Sequence, residues 1–160
     1  MGSFINELFQ PGQLSQAEGR GHVGQIVLET GLEEFIDKRT HLAARYLERL
    51  ADVEEILPLA LPSYPMRHAW HLFVVRLDTE RAGLDRQTLM AELKERNIGT
   101  GIHFKAVHMQ KYYRETMQLP PGALPATEWN SERLFSLPLF PDMTPEDVDS
   151  VVVAIKEVLA

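Results

Sequence analysis

The chain has 160 residues, 44% hydrophobic and 24% charged, a balance that fits one ordinary globular domain and excludes a disordered or collagen-like chain. Lys and Arg number 16 against 23 Asp and Glu, so the net charge is −7, and nucleic acid is not an expected partner. There is no cysteine, which excludes disulfides, thiolate metal sites and thiol nucleophiles.

No apolar run approaches the ~18 residues of a membrane span, so no membrane partner is expected. Met1 to Gln10 lack the basic start and apolar centre of a signal peptide, and the expected location is the cytoplasm. Residues 1–31 hold six of the ten glycines and little apolar periodicity, too little to offset the entropy of ordering. They read as a loosely held arm, and residues 32–160 as the domain proper.

From Leu32 to about Asp52, apolar residues recur at three- and four-residue steps: Leu32, Phe35, Ile36, Leu42, Ala43, Tyr46, Leu47 and Leu50. This spacing predicts a long amphipathic helix that needs a partner surface for its stripe. Pro58, Pro62 and Pro65 then impose an extended connection. His68 to Leu77, rich in aromatic and β-branched residues, reads as the clearest strand.

Gly83 closes a turn, and Asp85 is the expected N-cap of a helix carrying Leu89, Met90 and Leu93. Asn97, tolerant of the left-handed conformation, fits that helix's stop. Ile98 to Phe104 reads as a second strand, followed by a short helix near His108 to Met117 and a helical stretch at about Thr127 to Leu134. Ser136 to Phe140 is a short strand candidate. Thr144, Pro145 and Asp147 carry the sharpest signal, a capping box with proline at the first helical position. A stripe of Val148, Val151, Val152, Ile155, Val158 and Leu159 follows. The order of elements predicts an α/β class: a small mixed sheet of few strands packed by several helices.

Chemistry-bearing patterns are few. The six histidines have no ligand motif, and His68 and His71, three apart on a strand, would point to opposite faces; no metal site is expected. No nucleophile elbow, phosphate loop or catalytic carboxylate pair is legible, so no catalytic residue is assigned. The unusual stretch is Ile98-Gly99-Thr100-Gly101-Ile102-His103-Phe104. As a strand it would present Gly99, Gly101 and His103 on one face, bare backbone ending in an imidazole. Such a face suits close approach by a ligand or chain, or tight packing with His103 bonded at the rim. Trp70 and Phe73 are assigned to the core, and Trp129 to anchoring a helix end.

Four blocks lie in order along the chain: HAWHLF at 68–73, LKERNIGTGIHF at 93–104, HMQKYYRE at 108–115 and EWNSERLFSLPLFPDMT at 128–144. Over about residues 32–160 the chain resembles the C-terminal small domain of the sugar-nucleotide aminotransferases, enzymes of fold type I that use pyridoxal phosphate. Within that group it is nearest to the branch forming UDP-4-amino-4-deoxy-L-arabinose in lipid A modification. The resemblance implies amino transfer from glutamate, leaving 2-oxoglutarate, to a 4-keto sugar nucleotide in a homodimer. It places His103 and Phe104 at the mouth of the active site, with His108 and Tyr112 as further pocket residues on the following helix.

The resemblance also implies a separate large domain that carries the cofactor lysine, the carboxylate for the pyridinium nitrogen and the phosphate cradle. None of Lys38, Lys94, Lys105, Lys111 and Lys156 stands in the family's lysine motif. The expectation is therefore a truncated or interrupted product, or a cut piece, inactive by itself. The alternative is an interaction or small-molecule-binding module that retains the fold.

Overall fold

The computed structural model describes residues 21–160, with side chains from Gly31 onward. Helix α1 spans Gly21–Arg49. Strands β1 (Ile56–Pro58) and β2 (Phe73–Leu77) follow, then helices α2 (Thr79–Ala82) and α3 (Arg86–Glu95). A 3-10 turn at Val107–Met109 leads into α4 (Lys111–Met117) and α5 (Pro125–Arg133), then β3 (Leu134–Leu137) and α6 (Pro145–Leu159).

The α/β class stands. Its sheet has three strands in the order β1-β2-β3, and both pairings are antiparallel. Ile56 faces Leu77, Val75 faces Phe135 and Phe73 faces Leu137. Side chains alternate across a strand, so Phe73, Val75 and Leu77 share the face that packs on the helices. There the Tyr46 ring of α1 stacks on Phe73 with centroids 4.7 Å apart, and its hydroxyl donates to the Pro138 carbonyl at 2.9 Å. Burial pushes the Tyr46 hydroxyl well above its ordinary pKa. Leu89 and Leu93 of α3 and the α6 stripe from Val148 to Ile155 complete the core.

Helix ends follow their expected chemistry. Thr144 and Asp147 form a reciprocal capping box at the start of α6. The Asp85 carboxylate accepts from the Thr88 amide at 2.7 Å. Asn97 adopts φ 61°, with the Asn97 amide on Lys94 O and the Ile98 amide on Leu93 O, both at 2.9 Å, the two bonds that close a helix C-terminus.

Three expectations differ from the structure. Helix α1 begins at Gly21, so residues 21–31 of the expected arm are helical and the boundary at 31/32 falls inside one helix; residues 1–20 lie outside the described residues. Residues 68–72 are not strand: Trp70 takes φ 46°, and its amide donates to His68 Nδ1 at 2.8 Å, which turns the chain before β2. Residues 98–104 form no strand either, since ladder pairing is confined to a single bridge between Gly101 and Ser136. Two glycines in seven residues raise the entropic cost of extending that segment, and only one of them is paired. Phe73 is core as expected, and Trp70 packs against it with ring centroids 5.9 Å apart.

Candidate functional site

The segment from Gly101 to Ala106 is pinned at both ends. The Gly101 amide donates to Ser136 O at 3.2 Å and the Ser136 amide to Gly101 O at 2.8 Å. At the other end the Ala106 amide donates to Ser131 Oγ at 3.0 Å. Both serines are buried, so each polar group is satisfied within the fold. Between the pins, Ile102, His103, Phe104 and Lys105 all stand exposed, Phe104 at 80%.

The bare face expected of the glycines is filled from within the same loop. A Cβ on Gly101 would lie 2.5 Å from His103 Nε2 and 3.2 Å from Ser136 Oγ, whereas one on Gly99 would meet nothing within 4 Å. The imidazole folds back over Gly101, and the Phe104 ring stands edge-on to it with centroids 5.4 Å apart. His103 and Phe104 are thus brought together at an exposed tip.

His108 and Tyr112 go elsewhere. The His108 side chain is nearly buried, with Nε2 3.4 Å from Glu128 Oε1 but out of line, so that nitrogen has no hydrogen-bond partner. The Glu128 carboxylate accepts from the Gly122 amide at 2.8 Å and the Leu124 amide at 3.2 Å. These two amides, more than His108, hold its pKa below the usual carboxylate range. Tyr112 is 69% exposed and meets Tyr113 edge-on at 5.3 Å. No side chain of α4 is buried. A cleft of about 760 Å³ opens instead beside Ile98, Gly99, Phe140 and Met143.

Sequence reasoning placed Trp129 at a helix end but passed over Arg76 and Arg86. Arg76, in the middle of the apolar β2, points away from the core, with its guanidinium carbon 5.6 Å from the Trp129 ring centroid. Arg133 lies 4.6 Å from the same centroid and pairs with Glu80 at 2.7 Å. Arg86 donates to Ser131 O at 2.7 Å and Leu134 O at 2.9 Å, capping the end of α5. The available signal was a cation on a strand whose neighbours are Val74, Val75 and Leu77.

Pyridoxal phosphate, the cofactor the resemblance implies, needs a shielded amine for covalent attachment. The five lysines of the chain all lie among the described residues, and all are exposed. Lys38 pairs with Glu34 and Lys156 with Asp52, both at 2.8 Å. Lys105 sits on the open loop tip, and Lys94 and Lys111 face solvent. The residues present do not fit the group. Among the described residues there is also no cluster of three metal-ligating side chains and no helix long and apolar enough to cross a membrane.

Known proteins fix the lineage. The chain is 31% identical to DesV of S. venezuelae, whose structure holds a ketimine intermediate, with a TM-score of 0.71 over 87% of this chain and 35% of DesV. It is 28% identical to a DegT DnrJ EryC1 StrS aminotransferase from Brucella abortus, with a TM-score of 0.64 over 78% of this chain and 31% of the other. Against DesI, solved in the presence of its TDP-sugar product, identity is 26% and the TM-score 0.71, over 79% of this chain and 32% of DesI. The chain therefore spans about a third of the length of these proteins. Residues 21–156 match the DegT/DnrJ/EryC1/StrS aminotransferase family, and the chain belongs to it.

Proposed function

We propose that this chain is the small-domain portion of a pyridoxal-phosphate-dependent sugar aminotransferase, inactive until it meets a large domain that carries the cofactor. The observation that carries this reading is that all five lysines are exposed in a chain belonging to an aminotransferase family. An amine must be held in a shielded pocket to keep a covalent cofactor and to lose its proton near neutral pH. The share of its relatives that the chain spans, about a third, agrees with a division of labour between two domains.

The reaction in this reading moves an amino group from glutamate to a 4-keto sugar nucleotide, leaving 2-oxoglutarate. The sugar is of the UDP-4-amino-4-deoxy-L-arabinose type that modifies lipid A, and the assembled enzyme is a cytoplasmic homodimer. The TDP-sugar product of DesI supports the nucleotide-sugar class. His103 and Phe104 contribute the pinned loop tip to the mouth of the pocket; Tyr112, exposed, and His108, turned toward Glu128, are further pocket residues set apart from that tip. Phe104 suits this role because an aromatic ring so exposed gains most of its burial energy only against a partner.

The test mixes the chain with a separately expressed cofactor-binding domain of UDP-4-amino-4-deoxy-L-arabinose–oxoglutarate aminotransferase. Amino transfer from glutamate to the UDP-linked 4-keto sugar is followed by 2-oxoglutarate release. Activity should need both components. Activity from the chain alone, or none from the mixture despite complex formation in sedimentation, would contradict the reading.

A further inference from the structure

Among the described residues, Arg45, Arg49, Arg67, Arg81, Arg96 and Arg133 each hold a carboxylate within 4 Å. Arg39, Arg76, Arg86 and Arg114 hold none, in a chain with seven more acids than bases. Of these, Arg86 is bonded to backbone carbonyls and Arg76 alone lies beside an aromatic ring. Its residue is partly buried, and its Nε is wholly buried without an acceptor. Removing a guanidinium from water is costly unless an acceptor or counter-charge compensates, and surplus acids could have supplied one. The Trp129 ring, its centroid 5.6 Å from the guanidinium carbon, offsets part of that cost. The terminal nitrogens are not sealed off as Nε is.

The surroundings on that face are polar. Arg76 lies opposite Leu134 and Val74 opposite Ser136, so Ser136 sits two residues along on the same outer face as Arg76. Ser136 is bridged in turn to Gly101, over which the His103 ring is folded. Strand spacings put Gly101 about 12 Å from Arg76 between backbone positions, a gap that the arginine side chain and a small dianion span together.

We propose that Arg76 is an oxoanion-binding residue: its guanidinium, held beside Trp129, receives a carboxylate or phosphate on the outer face of the sheet, next to Ser136 and His103. A planar guanidinium suits either group, because two parallel N–H donors match two oxygens. The site stands without the aminotransferase reading, but the choice of anions rests on it. In that reading 2-oxoglutarate and glutamate supply carboxylates, and the nucleotide sugar supplies a diphosphate.

The test titrates the full chain, at ionic strength held constant with chloride, with 2-oxoglutarate in one arm and inorganic pyrophosphate in the other. Tryptophan emission is recorded in a Trp70→Phe background, so that Trp129 alone reports. A saturable change with at least one anion is expected, weakened about tenfold or more by Arg76→Gln and kept by Arg114→Gln, an exposed cation elsewhere. A response to 2-oxoglutarate alone assigns the amino-donor carboxylate, and a response to pyrophosphate alone assigns the diphosphate. Arg76→Lys keeps the charge but not the planar pair of donors and should also weaken binding, which covers a Gln variant that fails to fold. No saturable change with either anion, or binding undiminished in a folded Arg76 variant, overturns the site. Neither result touches the aminotransferase reading, which fails only if the two-component assay does.

Discussion

On the inner face of the sheet, Phe73, Val75 and Leu77 are sealed against α1, α3 and α6. Asp149 of α6 accepts from Arg45 and Arg49 of α1 at 2.7–2.9 Å, clamping the two helices. On the outer face and the segment beyond it, Phe104, Val107, Tyr112 and Met117 are open to solvent, α4 buries nothing, and Arg76 lacks a counter-charge. One side meets the first demand of a folded interior, with its apolar groups covered. The other leaves apolar and polar groups unfinished. An exposed apolar patch rimmed by polar groups marks a contact surface, and here it carries the loop tip on which the proposed pocket depends.

The contrast can be broken at its strongest point first. Phe73→Ala removes a ring that stacks on Tyr46 and is 2% exposed, and should destabilise the fold by about 3–5 kcal/mol in urea denaturation. Thr144→Ala removes one half of the capping box of α6 and should cost about 1 kcal/mol by the same measurement.

The ion pair at Asp149 sharpens the comparison through pH. Arg45 and then Arg49 lower the Asp149 carboxyl to about 2 in the folded chain, against about 4 unfolded. A depressed folded pKa contributes stability that is full above the unfolded value and lost as pH falls through the folded one. Stability should therefore decline from pH 4 toward pH 2, and Asp149→Asn should lower it at neutral pH while flattening that decline. Thermal melts across the acid range measure both.

The smallest effect is expected on the outer side. Phe104→Ala should change stability by less than about 0.5 kcal/mol, since its ring covers little in this chain. A large loss in the same urea measurement would show that the loop tip supports the fold and is not reserved for a partner.

Where the sequence was legible, several local signals agreed. Helix α6 has a capping box, a proline at the first position and an unbroken valine-rich stripe, and it begins at Pro145 as expected. Asn97 likewise announced its left-handed turn. Legibility failed where one local signal opposed another or where tertiary contacts decided. Three glycines in residues 21–31 hid the first turns of α1 behind a poor helix propensity. β1 was hidden because it ends in Pro58 within a proline-rich connection, a position tolerated at a sheet edge.

The alternation at 98–104 mimicked a strand, yet the imidazole of His103 covers Gly101 in place of a neighbouring chain. Of the candidate pocket, the pairing of His103 with Phe104 was readable from adjacency. The turning of His108 toward Glu128, and of Arg76 toward Trp129, depends on contacts 20 and 53 residues apart, which no local pattern encodes.

The central claim is that no lysine of this chain can hold the cofactor. Incubating the chain with pyridoxal phosphate, reducing with borohydride and mapping the products by mass spectrometry tests it directly. Weak labelling scattered over the five exposed lysines is predicted, without preference for any one. Stoichiometric attachment to a single lysine, with an absorbance band that glutamate discharges, would contradict the account.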